Sequence, residues 1–274
     1  MSFYTSLTGL KAAQSDLATV SNNVANVNST AFKKSRTNFG DIFAAAPMQT
    51  TTQVAGQGTR ITGIQQQFTQ GTVETTDKTL DLAITGEAFF TVKTPPPTLQ
   101  VSYTRNGAFS LDDNRYVVDT VGGRLQVFPY NSGTSSIDMT TQTDLQIPLT
   151  KPGAPTIQLS SVGVTVDGTV TATFADSTTQ ILGQIAMAAF PSNEGLRQKG
   201  DAHWESTLQS GAPVYGTANA GLYGAIRSGA LERSNVDLTE ELVALIAAQR
   251  NFQANAKAIE TASTISNAIV NLRS

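Results

Sequence analysis

The sequence predicts an α+β fold: a β-rich central domain with an α-helix at each end, the two helices pairing antiparallel as a coiled-coil-like stem. Three observations predict it. Helical apolar periodicity runs from about Phe3 to Val27 and again from about Leu238 to Leu272. The interior instead shows period-two alternation bounded by Gly, Asp and Pro. Because the first helix runs into the β region and the last runs out of it, two paired helices must point in opposite directions.

In the first helix Phe3, Leu7, Leu10, Leu17 and Val24 fall on a 4-3 spacing, with Gln14 and Ser21 in the two remaining places. Only Lys11 and Asp16 are charged there, so the opposite face is Ser, Thr, Asn and Ala rather than the charged face of a solvated helix. Both faces are expected to be covered. The pattern breaks in Asn26-Val27-Asn28-Ser29-Thr30, whose short polar side chains compete for backbone hydrogen bonds. Phe32 to Phe43 is mixed aromatic and basic, and Gln49 to Thr59, rich in Thr, Gln and Gly, reads as loop or extended linker.

Strands are expected where Leu80, Leu82 and Ile84 alternate with Thr79, Asp81, Ala83 and Thr85, and over 89–92, 103–111, 116–118, 125–130 and 181–190. Val162, Val164 and Val166 lead to Asp167-Gly168, and Val170, Ala172 and Phe174 follow, which predicts a hairpin with a two-residue turn. Pro95, Pro96 and Pro97 form a stiff interruption, and the glycine-rich stretch 195–229 reads as long ordered loops. Asp237 offers a cap to the final helix, with Glu240 as its capping-box partner. Leu238, Leu242, Leu245, Phe252 and Ile259 continue a 4-3 seam, which Ile269 and Leu272 resume after a phase shift. The resulting divisions are 1–30 for the first stem helix, 31–78 for a linker and extended segment, 79–233 for the β-rich domain and 234–274 for the second stem helix.

Composition excludes several functions. The formal charge is -3 with Lys and Arg scattered singly, so neither nucleic acid nor an anionic membrane is a favoured partner. With no cysteine, disulfides, thiol catalysis and thiolate metal sites are impossible. His203 is the single histidine, beside Trp204, the single tryptophan; without a partner motif it reads as a structural or loop histidine rather than a general base. Asp112-Asp113 reads as a turn and Glu240-Glu241 as the first turn of a helix, where negative charge is favoured. Gly56-Gln57-Gly58 lacks a following helix, and no serine sits in a Gly-x-Ser-x-Gly setting. No enzyme, cofactor, metal or small-molecule substrate is expected. The N-terminus lacks the pattern of a cleaved secretory signal.

The two ends resemble the rod and hook family of bacterial flagellar axial proteins. At the start the matching residues are Leu7-Thr8-Gly9-Leu10, Ser21-Asn22-Asn23-Val24-Ala25-Asn26 and Phe32-Lys33. Towards the end they are Gly229-Ala230-Leu231-Glu232, Ser234-Asn235-Val236-Asp237-Leu238, Glu240-Glu241-Leu242-Val243 and Ala248-Gln249-Arg250-Asn251-Phe252. Interior stretches, among them Tyr103-Thr104-Arg105-Asn106-Gly107 and Gln180-Ile181-Leu182-Gly183-Gln184-Ile185, resemble the hook branch more than the rod branch. The hook branch commonly inserts an outer β domain where this chain has only 131–180, room for hairpins alone.

The resemblance implies a subunit of a curved tubular joint that transmits motor torque, with a distal rod role as the alternative. It implies self-association into a helical polymer, contact with rod, hook-cap and hook–filament junction proteins, passage through the flagellar type III export apparatus, and a place in the extracellular flagellum. The expected subunit contacts are Phe3, Leu7, Leu10, Leu17, Val24, Leu238, Leu242, Leu245, Phe252, Ile259, Ile269 and Leu272. A secreted β-rich adhesin is the reading from another class. It would bind as a monomer with no dependence on its ends.

Overall fold

The computed structural model of the chain describes residues 2–42, 56–131 and 136–271. The chain divides into two compact units, one of residues 1–27, 33–67 and 236–274, the other of residues 28–32 and 68–235.

The first unit holds helix α1 (Ser2–Ala25), strands β1 (Ser35–Asp41) and β2 (Thr59–Gln66), and helix α2 (Leu238–Asn271). The α1 pattern stops where its sequence predicts: the Asn26 side chain donates to the Asn22 carbonyl at 3.0 Å, replacing helix continuation with a local bond. Asp237 caps α2, its carboxylate accepting from the amides of Thr239 (2.8 Å) and Glu240 (3.2 Å). Those backbone bonds hold its pKa below the ordinary carboxylate value. The expected capping-box partner Glu240 instead accepts from Lys34 Nζ at 3.1 Å. β1 and β2 pair antiparallel from Ser35↔Gln66 to Asp41↔Thr59. A hairpin therefore occupies part of the stretch read as linker. Most of the loop expected over Gln49–Thr59 lies outside the described residues, as does Leu272.

The second unit is a β structure whose main antiparallel sheet runs, in spatial order, Thr150–Lys151, Ala154–Val164, Thr169–Phe174, Thr179–Ile185, Arg124–Asn131, Phe89–Lys93, Val101–Thr104, His203–Glu205 and Arg197–Gly200. Period two puts Phe90 and Val92 on one face of their strand, among Leu125, Ile147, Val170, Ile185 and Ile226. Phe89 points the other way, into a second cluster with Tyr103 and Trp204. There aromatic rings meet edge to face, Phe89 to Trp204 at 5.6 Å and Tyr103 to Phe190 at 4.8 Å. Each fully buried Phe, Leu or Ile contributes about 1.5–3 kcal/mol relative to exposure.

Four expectations are corrected. The stretch 103–111 is two strands, Val101–Thr104 and Ser110–Leu111, parted where Arg105 is drawn into the interior. The stretch 181–190 likewise breaks into Thr179–Ile185 and Met187–Ala189. The hairpin near Asp167-Gly168 does not turn on those two residues. Gly168 donates to the Thr165 carbonyl, so Val166 and Asp167 are the central pair and Gly168, at φ 76°, takes the left-handed position that follows. Finally, 195–229 contains short strands at Arg197–Gly200, His203–Glu205, Val214–Gly216 and Ala225–Ser228, paired too briefly to carry a period.

Candidate assembly surface

A site for self-association should lie on the helical unit, and its geometry starts from how α1 is held. Gly9 faces Asn255, where an added Cβ would stand 2.7 Å from the Asn255 Oδ1, and Asn23 bonds Glu241. Fourteen residues separate those contacts on each helix, so α1 and α2 run antiparallel without slip. Glycine is unfavourable inside a helix by about 0.5–1 kcal/mol. At position 9 it permits the close approach.

On another side α1 meets the hairpin. Thr37 Oγ1 donates to Thr19 Oγ1 at 3.0 Å, and the Thr59 amide donates to Thr8 Oγ1 at 3.4 Å. Asn23 joins the two packings. Its Nδ2 donates to the Ser35 carbonyl at 2.8 Å and to Glu241 Oε2 at 3.1 Å, while its Oδ1 accepts from the Ser35 amide at 2.9 Å. Asn23 and Glu241 are both buried.

Beside this junction lies a cleft of about 320 Å³ lined by α1, β1, α2 and Gln67. Its charged walls are Asp16, Lys34, Arg36, Glu240 and Glu241. Burial raises the pKa of Asp16, against the lowering effect of its bond with Thr37. Among the described residues no group of His, Asp and Glu is arranged to hold a metal ion, and no helix is long and apolar enough to cross a membrane.

The residues expected to form subunit contacts divide in two. Leu7, Leu10, Leu17, Val24, Leu245, Phe252 and Ile259 are half-buried within the unit. Phe3, Leu238, Leu242 and Ile269 are exposed, at 43, 46, 42 and 61%. On α2 the less exposed stripe includes Glu241, Leu245, Ala248, Phe252, Asn255, Ile259 and Ala262, a 4-3 seam that shares only alternate members with the leucine seam read from sequence. Helix packing thus takes small and polar positions, leaving Leu238 and Leu242 outward. Gly9, Asn23, Glu241 and Asn255 were not among the expected site residues, although the first three lie in the stretches that carry the family resemblance.

Of the remaining chemistry, His203 is buried: its Nδ1 faces the Asp201 carbonyl and its Nε2 faces Asp119 Oδ2, each at 2.8 Å. This is the arrangement of a structural histidine.

Three family descriptions match the chain: "Flagella basal body rod protein" over residues 3–33, "Flagellar hook protein FlgE/F/G D1 domain" over 83–172, and "Flagellar basal body rod FlgEFG protein C-terminal" over 227–272. The chain is similar to the flagellar basal-body rod protein FlgG of Bacillus subtilis, with 35% identity over 99% of this chain and 98% of the relative. It is similar to FlgG of Borreliella burgdorferi at 32% identity, with 98% and 97% covered. It is similar to the flagellar hook protein FlgE of Escherichia coli at 28% identity over the whole of both chains.

Proposed function

The chain belongs to the family of flagellar rod and hook proteins, which are structural proteins and not enzymes, and on that premise we propose that it is a short subunit of the flagellar hook. One observation carries this reading. Arg124–Asn131 and Thr179–Ile185 are adjacent antiparallel strands, with Gly183 opposite Pro129. The chain between them, which adds the strands Ala154–Val164 and Thr169–Phe174 to the same sheet, thus starts and ends at one place. An insertion in a turn of this segment lengthens a stretch whose two ends already lie side by side, so an outer domain can be present or absent without parting Arg124–Asn131 from Thr179–Ile185. The alignment with the E. coli hook protein runs over 411 residues, against 274 in this chain.

In this reading copies pack through the helical unit into a tubular polymer outside the cell, because a repeated contact between two different patches whose rotation does not close a ring propagates as a helix. The coiled-coil-like pair of helices forms the stiff, torque-bearing layer, and the Thr- and Gly-rich surfaces of the β unit slide as the tube bends. Phe3, Leu238, Leu242 and Ile269 provide lateral contacts; Leu7, Leu10, Leu17, Val24, Leu245, Phe252 and Ile259 provide the edges of the same seams, and Leu272 extends them. The proposed partners are other copies, the rod below, cap and junction proteins above, and the flagellar export apparatus on the way out.

A distal rod role is the second reading, favoured by the near-equal length and 35% identity of the B. subtilis rod protein. Electron micrographs of polymer grown from purified chain separate the two: curved tubes support a hook subunit, straight ones a rod. Leu238→Asp combined with Leu242→Asp should abolish polymer while Trp204 fluorescence, which reports the β unit, stays native. Normal tubes from that variant would overturn the assignment of the surface.

A further inference from the structure

The cleft between α1, β1 and α2 carries more negative than positive charge, and the surplus is buried. Lys34 and Glu240 pair with each other at 3.1 Å. That leaves Asp16 and Glu241 against Arg36, which is exposed. Glu241 is 94% buried, since only 6% of it is exposed, and its one bonded donor among the described residues is the neutral amide of Asn23. A buried carboxylate with a single neutral donor is under-compensated. The Asp16 carboxyl is raised by its burial in the same cleft. Such a cleft fits a cation.

The same helix carries one. Arg250 is exposed on α2 and makes no ion pair among the described residues. It lies nine residues after Glu241, about two and a half turns and roughly 13 Å along the axis, and so on the opposite side of the helix. It cannot reach the cleft of its own chain. A planar guanidinium suits carboxylate oxygens better than an ammonium, because its donors form a fixed fork. With acceptor and donor on opposite flanks of one element, each copy offers its cation to one neighbour and its cleft to another, the head-to-tail arrangement that propagates without closing.

We propose that in the polymer Arg250 of one copy enters the cleft of its neighbour and pairs with Glu241 and Asp16. The contact rests on the homopolymer reading above and deepens it by naming the pair. Lys11, Arg60 and Lys257, the last paired with Glu260, are the competing exposed cations of the same unit outside the cleft.

The test uses polymer grown from an equal mixture of ¹⁵N-labelled and unlabelled Arg250→Lys chains, a change that keeps the charge and supplies an amine. A zero-length carbodiimide reagent joins touching amines and carboxylates, and mass spectrometry reads the products. The expected product is a mixed-isotope peptide joining position 250 to Glu241 or Asp16. Polymer in which position 250 is joined only to other carboxylates, or to none, or in which Lys11 occupies the cleft instead, overturns the proposal. Should Arg250→Lys fail to polymerise, assembly of Arg250→Gln, Glu241→Gln and the double variant decides. A critical concentration raised at least tenfold by each single change, with no further rise in the double, supports the pair, whereas effects that multiply overturn it. If the unaltered chain forms no polymer at all, the homopolymer reading itself fails, which is a separate result.

Discussion

Arg105 and Glu232 form an ion pair at 3.3 Å in the interior of the β unit, where the two side chains are 1% and 0% exposed. They lie 127 residues apart in the sequence. Glu232 also accepts from the Gly71 amide at 2.9 Å, and Arg105 donates to the Gly86 carbonyl while its guanidinium lies 5.2 Å from the centre of the Phe89 ring. One charge pair therefore ties four chain segments that the sheet hydrogen bonds join only in part. Desolvation lowers the Arg105 pKa, against the opposing pull of Glu232.

Removing the guanidinium should be costly. Arg105→Met takes from the buried Glu232 carboxylate the cation it faces at 3.3 Å, at a cost of about 3–5 kcal/mol. Urea unfolding followed by Trp204 fluorescence measures it; a variant within about 1 kcal/mol of the unaltered chain refutes the assignment.

Gly107 lies against the neighbouring backbone. A Cβ there would stand 1.7 Å from the Leu82 carbonyl oxygen, which itself accepts no rearrangement without moving the strand Leu82–Thr85. Overpacking against yielding side chains costs about 1–3 kcal/mol, and backbone yields less. Gly107→Ala should lower the thermal midpoint of the β unit by more than Gly56→Ala, whose Cβ would meet nothing within 4 Å. Equal midpoints would mean the approach is not as close as described.

What the sequence made legible follows from the length of each signal. Both helices were readable because period and caps agree over many turns, and Val170, Ala172 and Phe174 alternate in the structure as they do in the sequence, each buried. The β1–β2 hairpin was not readable, since Ser35-Arg36-Thr37-Asn38 has no apolar alternation and is held in place by α1 through Thr19 and Asn23. The packed face of α2 was half legible. Apolar spacing marked Leu245, Phe252 and Ile259, but it cannot tell which of two interleaved 4-3 seams a partner helix will choose; α1 chose the one with Ala248 and Asn255, and Leu238 and Leu242 are left exposed.

The His203–Asp119 pair predicts an acid limb. Burial alone would raise the Asp119 pKa, but bonds from His203 and from the amides of Gly123 and Val121 outweigh it and hold the folded value below the usual 3.8. A carboxylate depressed on folding contributes stability above its unfolded pKa, and that contribution is lost as pH falls through the folded one. Asp119→Asn should therefore destabilise the β unit at neutral pH and flatten the loss of stability below about pH 4. Urea midpoints between about pH 2 and 6 check this. An unchanged acid limb would show that Asp119 does not contribute to it.

In the helical unit, Asn23 converts the same reasoning into a sign change. Asn23→Ala removes its bonds to Ser35 and Glu241, each worth about 1 kcal/mol net, and leaves buried groups unpaired at about 1–3 kcal/mol. Amides across the middle of α1 should exchange faster. Asn23→Asp is nearly the same shape but sets a second carboxylate about 3 Å from Glu241, and two like charges at that distance cannot both ionise cheaply. The folded pKa of one of them must then rise above its unfolded value. Stability gained from a raised carboxyl is present below the unfolded pKa and lost as pH climbs through the folded one. The Asp variant should therefore resemble the unaltered chain near pH 4 and fall towards or below the Ala variant near pH 7, as read by hydrogen exchange in α1. If its protection is the same at both pH values, Asn23 and Glu241 do not meet as described.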